Sequence, residues 1–155
     1  MTLAVDVLEA AKSKNVMIVT AESCTGGMVA AALTDIAGSS QVVDRGFVTY
    51  SNAAKIDMLG IRPATLKEFG AVSEPIAQEM ALGALRNSKA QLAISVTGIA
   101  GPGGSEHKPE GRVCFACAFE ASLCAQTIEF GALGGDRVRA AARDHALRML
   151  LSALR

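Results

Sequence analysis

The segment VMIVTAESCTGGMVAAALTDIAG, residues 16–38, decides the fold class. Its first five residues, Val16–Thr20, form a short apolar run rich in β-branched side chains, which is typical of a strand buried on both faces. The stretch AESCTGG follows at once, and the apolar MVAAALTDIAG after it predicts a helix. A buried strand that turns directly into a helix is the unit from which α/β sheets are built.

The same alternation of helix and strand continues along the rest of the chain. Residues 2–14 predict an amphipathic helix that Thr2 caps, and further strands are predicted at Phe47–Ser51 and Gln91–Thr97. Two adjacent strands, Arg112–Glu120 and Cys124–Phe130, predict a hairpin. The remaining apolar stretches predict four helices: residues 53–59 between Asn52 as cap and Gly60, Ala64–Phe69, residues 74–88 capped by Ser73, and a last helix capped by Asp136 that runs to about Leu154.

Helices alternate with strands everywhere except at the hairpin, which indicates the α/β class. We therefore predict a three-layer α/β/α sandwich built on a mixed, mostly parallel sheet with one hairpin. A chain of 155 residues fits a single domain, residues 1–155, better than two. Aromatic residues make up only 4% and Trp is absent, so we expect close packing through small side chains.

Charge and hydropathy argue against several classes of function. The 15 basic and 15 acidic residues give a formal net charge of zero, whereas nucleic-acid-binding proteins usually carry a basic excess. No apolar stretch approaches the length of a membrane-spanning helix, and Asp6 and Glu9 interrupt the apolar pattern that a signal peptide would need. We expect a cytoplasmic protein that binds neither nucleic acid nor membranes, and we expect it to form a homo-oligomer.

The four cysteines do not predict a metal site. Cys114 and Cys117 form a CxxC pair, but zinc binding needs a second pair or suitably spaced histidines, which His107 and His145 are not. The pair also falls in one predicted strand, where residues three apart point to opposite faces. We expect buried, reduced thiols, and neither a metal nor an organic cofactor.

Polar residues and glycines concentrate just past the ends of three predicted strands, at Ser23–Gly27, Tyr50–Lys55 and Thr97–Gly104. Ligands of open α/β sheets bind outside the carboxyl ends of the strands, so the three segments together predict a binding site. The last of them lies in TGIAGPGGS, residues 97–105, whose glycines let the backbone approach a ligand. This loop matches neither the Walker A pattern nor GxGxxG.

Within the first segment, a hydroxyl lies on a tight strand-to-helix turn beside free backbone amides. This is the arrangement of a nucleophile next to an oxyanion hole. Taken alone, the segment favours a simpler interpretation, in which Ser23 or Thr25 caps the following helix. Cys24 is an alternative nucleophile, but no histidine lies close enough in the pattern to suggest a Cys–His pair.

Tyr50 and Lys55 lie across the junction between a strand and a helix. A lysine desolvated in a pocket loses its charge easily and can accept a serine proton. Taken singly, the two residues are explained more simply as a core tyrosine and a solvated lysine. Arg137 lies at the N-terminal end of the last helix, where it suits a phosphate or carboxylate, whereas Arg139 and Arg143 are expected to pair with surface carboxylates.

Six segments carry most of these features: TAESCTGG (Thr20–Gly27), YSNAAK (Tyr50–Lys55), VSEPIA (Val72–Ala77), SVTGIAGPGG (Ser95–Gly104), KPEG (Lys108–Gly111) and GDRVR (Gly135–Arg139). Together they resemble the CinA C-terminal domain family, the nicotinamide-nucleotide amidohydrolases. The resemblance spans nearly the whole chain in order, and several of the motifs are long enough to be specific. One departure is Glu110, where a small apolar residue is more usual.

The resemblance implies hydrolysis of the carboxamide of nicotinamide mononucleotide, which gives nicotinate mononucleotide and ammonia. The family's serine, tyrosine and lysine correspond to Ser23, Tyr50 and Lys55. Its threonine corresponds to Thr97 and its GDR arginine to Arg137. Two other classes of function stay open: a module that binds a nucleotide without turnover, and an interaction domain associated with competence or DNA damage.

Together with the chemistry of the individual residues, the resemblance predicts a serine–lysine mechanism without a metal or organic cofactor. Lys55, neutral and oriented with Tyr50, would take the proton of Ser23. Backbone amides near Thr25–Gly27 or Thr97 would hold the oxyanion, while Arg137 and the glycine-rich loop would hold the ribose phosphate. The substrate-binding residues expected from this are Thr25, Gly26, Gly27, Thr97, Gly98, Gly101 and Arg137.

Overall fold

The computed structural model describes residues 2–155, which form six α-helices, one short 3₁₀ helix and five strands. In chain order they are α1 (Leu3–Lys14), β1 (Ile18–Glu22), α2 (Met28–Thr34), the 3₁₀ helix (Ser39–Gln41), β2 (Val43–Val48), α3 (Asn52–Leu59), α4 (Pro63–Phe69), α5 (Glu74–Arg86), β3 (Leu92–Gly98), β4 (Arg112–Phe119), β5 (Ser122–Glu129) and α6 (Gly135–Leu154).

The five strands form one sheet in the order β2-β1-β3-β4-β5. β1 pairs in parallel with β2 and with β3, whereas β4 pairs antiparallel with β3 and with β5. Four of the five strands therefore point the same way, and β4 and β5 form the predicted hairpin. The mixed, mostly parallel sheet is confirmed.

Helices cover both faces of the sheet because successive side chains of a strand point to opposite faces. On one face, α1, α2 and α6 pack against residues such as Ile18 and Phe115. On the other face, α3 and α5 pack against residues such as Val19 and Ala116. The α/β class and the three-layer α/β/α arrangement predicted from the sequence are confirmed.

Small residues bring the layers close together, as the composition predicts. The face of the sheet beneath α5 carries Ala93, Ala116 and Ala118. Where α5 crosses α3, a Cβ on Gly83 would collide with the carbonyl oxygen of Leu59. The absence of a side chain at Gly83 therefore sets the distance between these two helices.

Several predicted element ends and caps differ from the structure. Thr2 and Ser73 cap their helices as predicted, but Ser51, rather than Asn52, caps α3. Asp136 does not cap α6 but lies in its first turn. The first strand ends at Glu22 instead of Thr20, and the second at Val48 instead of Ser51. Neighbouring polar residues are hard to distinguish in sequence, because the path of the preceding chain decides which of them takes the extended cap conformation.

The cysteines follow the strand geometry. Cys114 and Cys117 pack into the cores on opposite faces of the sheet, as their spacing predicts. Cys24 is also buried, whereas Cys124 is exposed on the edge strand β5, so the expectation of burial is wrong for that thiol. All four are free thiols, and no three His, Cys, Asp or Glu side chains of residues 2–155 are grouped so that they could hold a metal ion. Within the same described range, no helix is long and apolar enough to cross a membrane.

Candidate active site

A cavity of about 690 Å³ opens at the carboxyl ends of β1 and β3. The parallel strands β2, β1 and β3 end at the same edge of the sheet, so the loops that follow them meet there. The turn after β1, the junction before α3, the glycine-rich loop after β3 and the first turn of α6 all contribute to its wall. The lining residues with polar or charged side chains include Ser23, Tyr50, Lys55, Thr97, Glu106 and Arg139.

The turn after β1 holds Ser23 at the floor of this cavity. Ser23 directly follows the last strand residue, and its N–H donates to the carbonyl oxygen of Val96 at 2.9 Å, which ties the turn to β3. Gly26 and Gly27 have φ values of +58° and +106°, a conformation that favours glycine. These two glycines let the chain pass from strand to helix within a few residues.

A buried carboxylate organises the same turn. Glu22 is only 1% exposed and accepts hydrogen bonds from two N–H groups in the first turn of α2, at 2.9 and 3.0 Å. It also accepts one from the hydroxyl of Thr25 at 2.6 Å. Glu22 thus caps the N-terminus of α2, because the N-cap residue, Gly27, has no side chain that could do so. The capping interpretation of Ser23 and Thr25 is therefore wrong, and the Ser23 hydroxyl is free for another role.

The side chain of Lys55 meets that hydroxyl. Lys55 Nζ lies 3.0 Å from Ser23 Oγ, which joins two residues 32 positions apart in the chain. Nζ also donates to the carbonyl oxygens of Thr49 at 2.9 Å and Tyr50 at 3.2 Å. Lys55 is 1% exposed and Ser23 is 7% exposed. The interpretation of Lys55 as a solvated lysine is wrong.

Burial also shifts the protonation equilibrium of Lys55 toward the neutral amine. Desolvation lowers the pKa of Lys55 below its ordinary value of 10.5, because the ammonium loses contact with water. In the ammonium form, three N–H bonds match the two carbonyl oxygens and Ser23 Oγ. In the neutral form, two N–H bonds serve the carbonyl oxygens and the lone pair is left for the Ser23 hydroxyl. The arrangement can therefore pass a proton from Ser23 Oγ to Lys55 Nζ.

Tyr50 contributes its backbone to this arrangement. Its carbonyl oxygen accepts from Lys55 and lies 3.4 Å from Ser23 Oγ. The residue as a whole is 75% exposed, so the interpretation as a core tyrosine is wrong. Its phenolic hydroxyl makes no hydrogen bond to any of residues 2–155, which favours a role through the carbonyl.

Cys24 lies next to Ser23 but is poorly suited to act as a nucleophile. Burial is the main cause that raises its pKa, to about 12, so the thiol stays protonated near neutral pH.

This thiol is expected to resist alkylation in the folded protein. Treatment of the native chain with iodoacetamide at pH 8 should modify the exposed Cys124 while leaving Cys24 unmodified, because alkylation requires an accessible thiolate. Mass spectrometry of peptides from the treated protein measures both sites in one sample. Equal labelling of Cys24 and Cys124 before unfolding would contradict the assignment of Cys24 as an inert thiol.

Only some of the predicted substrate-binding residues line the cavity. Gly26, Thr97, Gly98 and Gly101 line the cavity, and Thr97 is fixed by donating its hydroxyl to a backbone carbonyl at 2.9 Å. Thr25 and Gly27 do not line the cavity. Thr25 is fully buried, and its hydroxyl donates a hydrogen bond to the carboxylate of Glu22.

On α6, Arg139 rather than Arg137 lines the cavity. Asp136 lines it as well, and residues three apart share a helix face, whereas Arg137 points away and is exposed. Arg139 Nε donates to the carbonyl oxygen of Cys24 at 3.0 Å, which ties α6 to the turn that holds Ser23. The expectation that Arg139 pairs at the surface is therefore wrong, while Arg143 does pair with its neighbouring carboxylate at 2.9 Å.

Three site residues are missed by the sequence interpretation. Glu22 carries a usable signal, because a carboxylate at the end of a fully buried strand needs partners. Arg139 carries one too, since helical spacing places it on the same face as the first turn of α6. Glu106 carries no local signal, because only the folded loop brings it to the cavity.

Solved structures share this fold over almost the whole chain. The competence/damage inducible protein CihA from Agrobacterium tumefaciens superposes with a TM-score of 0.95 and 49% identity, covering 99% of this chain and 94% of that one. The competence damage-inducible protein A from Klebsiella pneumoniae has the same TM-score with 40% identity, over 98% of this chain and 94% of that one. The architecture is that of the CinA superfamily.

The CinA C-terminal domain family matches residues 1–154, and the chain belongs to this family. The nicotinamide-nucleotide amidohydrolase PncC of Escherichia coli strain K12 is 50% identical over 151 residues, which cover 97% of this chain and 92% of that protein. The protein of the same name from Enterobacter agglomerans is 56% identical over 117 residues, 75% of this chain and 71% of that protein.

Proposed function

We propose that the chain hydrolyses the carboxamide of nicotinamide mononucleotide to nicotinate mononucleotide and ammonia. Relatives that match it over 97% of its length are named nicotinamide-nucleotide amidohydrolases. The single observation that carries the proposal is the 3.0 Å contact between Lys55 Nζ and Ser23 Oγ at the floor of the cavity. Amide hydrolysis needs a nucleophile with a base beside it, and this pair supplies both.

In the first half of the proposed reaction, Ser23 Oγ attacks the carboxamide carbon while its proton passes to the neutral amine of Lys55. The carbonyl oxygen becomes an oxyanion in the tetrahedral intermediate. When the carbon–nitrogen bond breaks, the Lys55 ammonium gives the proton to the leaving nitrogen. Ammonia departs, and an ester of Ser23 with the nicotinate group remains.

In the second half, a water molecule attacks the ester carbon and Lys55 accepts its proton. The bond from carbon to Ser23 Oγ then breaks, and Lys55 returns the proton to Ser23. The product leaves as the carboxylic acid, which loses its proton to solvent to give nicotinate mononucleotide, and both side chains regain their starting protonation states. One buried lysine thus acts as base and acid in turn, so the mechanism needs no second titrating side chain.

The turn after Ser23 is the proposed oxyanion hole. The N–H groups of Cys24 and Thr25 donate to no oxygen of residues 2–155, whereas that of Gly26 donates to the Ser23 carbonyl at 3.1 Å. Free N–H groups directly after a nucleophile are common oxyanion donors. Because the buried Glu22 accepts hydrogen bonds from Thr25 and from the first turn of α2, it would hold these N–H groups in place.

Arg139 is the proposed phosphate-binding residue, in place of Arg137. Its Nε is occupied by the Cys24 carbonyl, but its other N–H groups have no acceptor among residues 2–155 and the side chain lines the cavity. Guanidinium groups bind phosphate through paired, charge-assisted hydrogen bonds. The glycine-rich loop, which lies close to Gly135 at the start of α6, would contribute backbone N–H groups.

Arg139→Ala is expected to raise KM for nicotinamide mononucleotide at least about tenfold with a smaller effect on kcat, because a charged hydrogen bond to phosphate is lost. Arg137→Ala is the matched control, since it removes the same charge two residues away from an exposed position, and it should change KM by less than about twofold. Steady-state kinetics of both variants decide the matter. A larger increase in KM for Arg137→Ala than for Arg139→Ala would show instead that Arg137 binds the phosphate.

Tyr50→Phe is expected to keep kcat within about twofold of the parent, because the carbonyl that contacts Lys55 is unchanged and only an exposed hydroxyl is removed. The measurement is ammonia release at saturating substrate. A loss on the order of 10²-fold would show instead that the phenol takes part in proton transfer.

The proposed function itself is tested by incubating the purified chain with nicotinamide mononucleotide and quantifying both products. Equal amounts of ammonia and nicotinate mononucleotide are expected. Binding of the nucleotide without release of ammonia would favour a binding module. The absence of both binding and turnover would favour an interaction domain.

A further inference from the structure

Four charged side chains line the cavity: Lys55, Arg139, Glu106 and Asp136. The proposed mechanism gives roles to the two cations and leaves both carboxylates unused. A negatively charged group in the wall of a site that binds a phosphate would weaken binding unless it served another part of the ligand. The position of Glu106 indicates which part that is.

The loop that carries Glu106 is anchored on the segment before α5. Glu106 Oε2 accepts from the N–H of Ala71 at 3.2 Å. Lys108 Nζ donates to the carbonyl oxygens at both ends of residues 69–72, at 2.7 and 2.6 Å. Gly70 permits this approach, because a Cβ there would collide with the Glu106 carboxylate. The carboxylate is therefore held against residues 69–72.

This anchor lies close to the reacting end of the cavity. The carbonyl oxygen of Ala71 accepts from Thr97 Oγ1 at 2.9 Å, and the residue before Thr97 accepts from the Ser23 N–H at 2.9 Å. Three hydrogen bonds, together with the peptide unit between Val96 and Thr97, thus connect Glu106 to the turn that holds Ser23. While desolvation lowers the pKa of Lys55, the charge of Glu106 acts in the opposite direction, as a nearby anion must. Asp136 lies instead on α6, on the side of Arg139.

Within the described part of the chain, the Glu106 carboxylate also forms no ion pair. Among residues 2–155, no basic nitrogen lies within 4.0 Å of it, and the ion pairs present join other residues. The Lys108 ammonium next to it is turned to backbone carbonyls. A carboxylate that forms no ion pair and lies in the wall of the same cavity as Ser23 suits a ligand that brings its own positive charge.

The proposed substrate brings such a charge at the required place. In nicotinamide mononucleotide the ring nitrogen is bonded to ribose, so the aromatic ring is a cation. The ring carries the carboxamide, and it must lie beside Ser23 when the carboxamide does. The charge is lost in the reduced, dihydropyridine form, which keeps the carboxamide, the ribose and the phosphate.

We infer that Glu106 determines specificity by attracting the cationic ring, so that the site selects the oxidised nucleotide over its reduced form. This inference rests on the proposed function, since it concerns recognition of the same substrate. It goes beyond it by giving the site a preference for ring charge that neither the Ser23–Lys55 pair nor a phosphate contact supplies.

The test is equilibrium binding of nicotinamide mononucleotide and its reduced form to Ser23→Ala protein, in which neither ligand is turned over. Calorimetry in the Ser23→Ala background compares four proteins: without a further change, and with Glu106→Gln, Asp136→Asn or Glu110→Gln. Glutamine at position 106 keeps an oxygen that accepts from Ala71, so the loop anchor is preserved. Glu110→Gln makes the same change on the same loop at a carboxylate that does not line the cavity.

We expect the Ser23→Ala protein to bind the oxidised form more tightly. Glu106→Gln should weaken that form alone by about fivefold, the upper range for one solvent-screened charge pair. Asp136→Asn and Glu110→Gln should leave the ratio of the two dissociation constants unchanged. An unchanged ratio in Glu106→Gln, or an equal loss in Asp136→Asn, would overturn the inference while the proposed function stands. Failure of the Ser23→Ala protein to bind the oxidised nucleotide would overturn both.

Discussion

Ser23→Ala is expected to lower the rate of ammonia release at least about 10⁴-fold, which is the scale on which a catalytic serine acts in enzymes that form an acyl intermediate. The substitution removes the atom that would attack the carboxamide. The fold should survive, because the Ser23 hydroxyl caps no helix and the backbone bond from its N–H to Val96 remains. Circular dichroism and binding of the mononucleotide check that the protein is intact.

The matched control for this prediction is Cys24→Ala, one residue along the same turn. A buried thiol with a pKa of about 12 has no role in the proposed chemistry, so the rate should stay within about threefold of the parent. Near-normal turnover by Ser23→Ala, together with inactivation of a folded Cys24→Ala protein, would show that the nucleophile is the Cys24 thiol and not the Ser23 hydroxyl.

Lys55→Arg is expected to lower kcat at least about 10²-fold, the usual scale for loss of a general base. A guanidinium stays protonated and cannot accept the proton of Ser23, so this substitution should be as damaging as Lys55→Ala. Binding of nicotinate mononucleotide should change little in either variant, because the phosphate contact is proposed for Arg139. Substantial turnover by Lys55→Arg would show that position 55 supplies only charge.

The pH dependence follows from the same residue. Below the pKa of Lys55 the side chain is an ammonium without a lone pair, so it cannot act as a base. As pH rises through that pKa, which burial lowers from 10.5, the neutral amine forms and kcat should rise. Profiles of kcat against pH for the parent and Lys55→Arg measure this. A rise in the parent that persists in Lys55→Arg would assign the titration to another group.

Glu106 connects the pH profile to the inference on specificity. Its negative charge opposes the effect of burial on the Lys55 pKa, so Glu106→Gln should move the rise in kcat to lower pH. A carboxylate in this place would therefore favour binding of a cationic ring while making the base harder to deprotonate.

The sequence by itself determined the α/β class, the hairpin and the edge of the sheet at which the cavity opens. These features follow from short-range patterns: β-branched runs such as Val16–Thr20 favour buried strands, and parallel strands bring the loops that follow them to one edge. Strand alternation likewise placed Cys114 and Cys117 on opposite faces. Ser23 and Lys55 were selected by motif, while their local sequences favoured a helix cap and a solvated lysine.

Only the tertiary structure decided what those residues can do. Whether Lys55 is a surface cation or a buried base depends on how α3 packs against α5, which brings Lys55 Nζ to 3.0 Å from Ser23 Oγ. The rotation of α6 about its axis turns Arg139 toward the cavity, and the anchored loop brings in Glu106. Distances between residues tens of positions apart, and the desolvation that shifts a pKa, come from packing of whole elements, which no local pattern of residues contains.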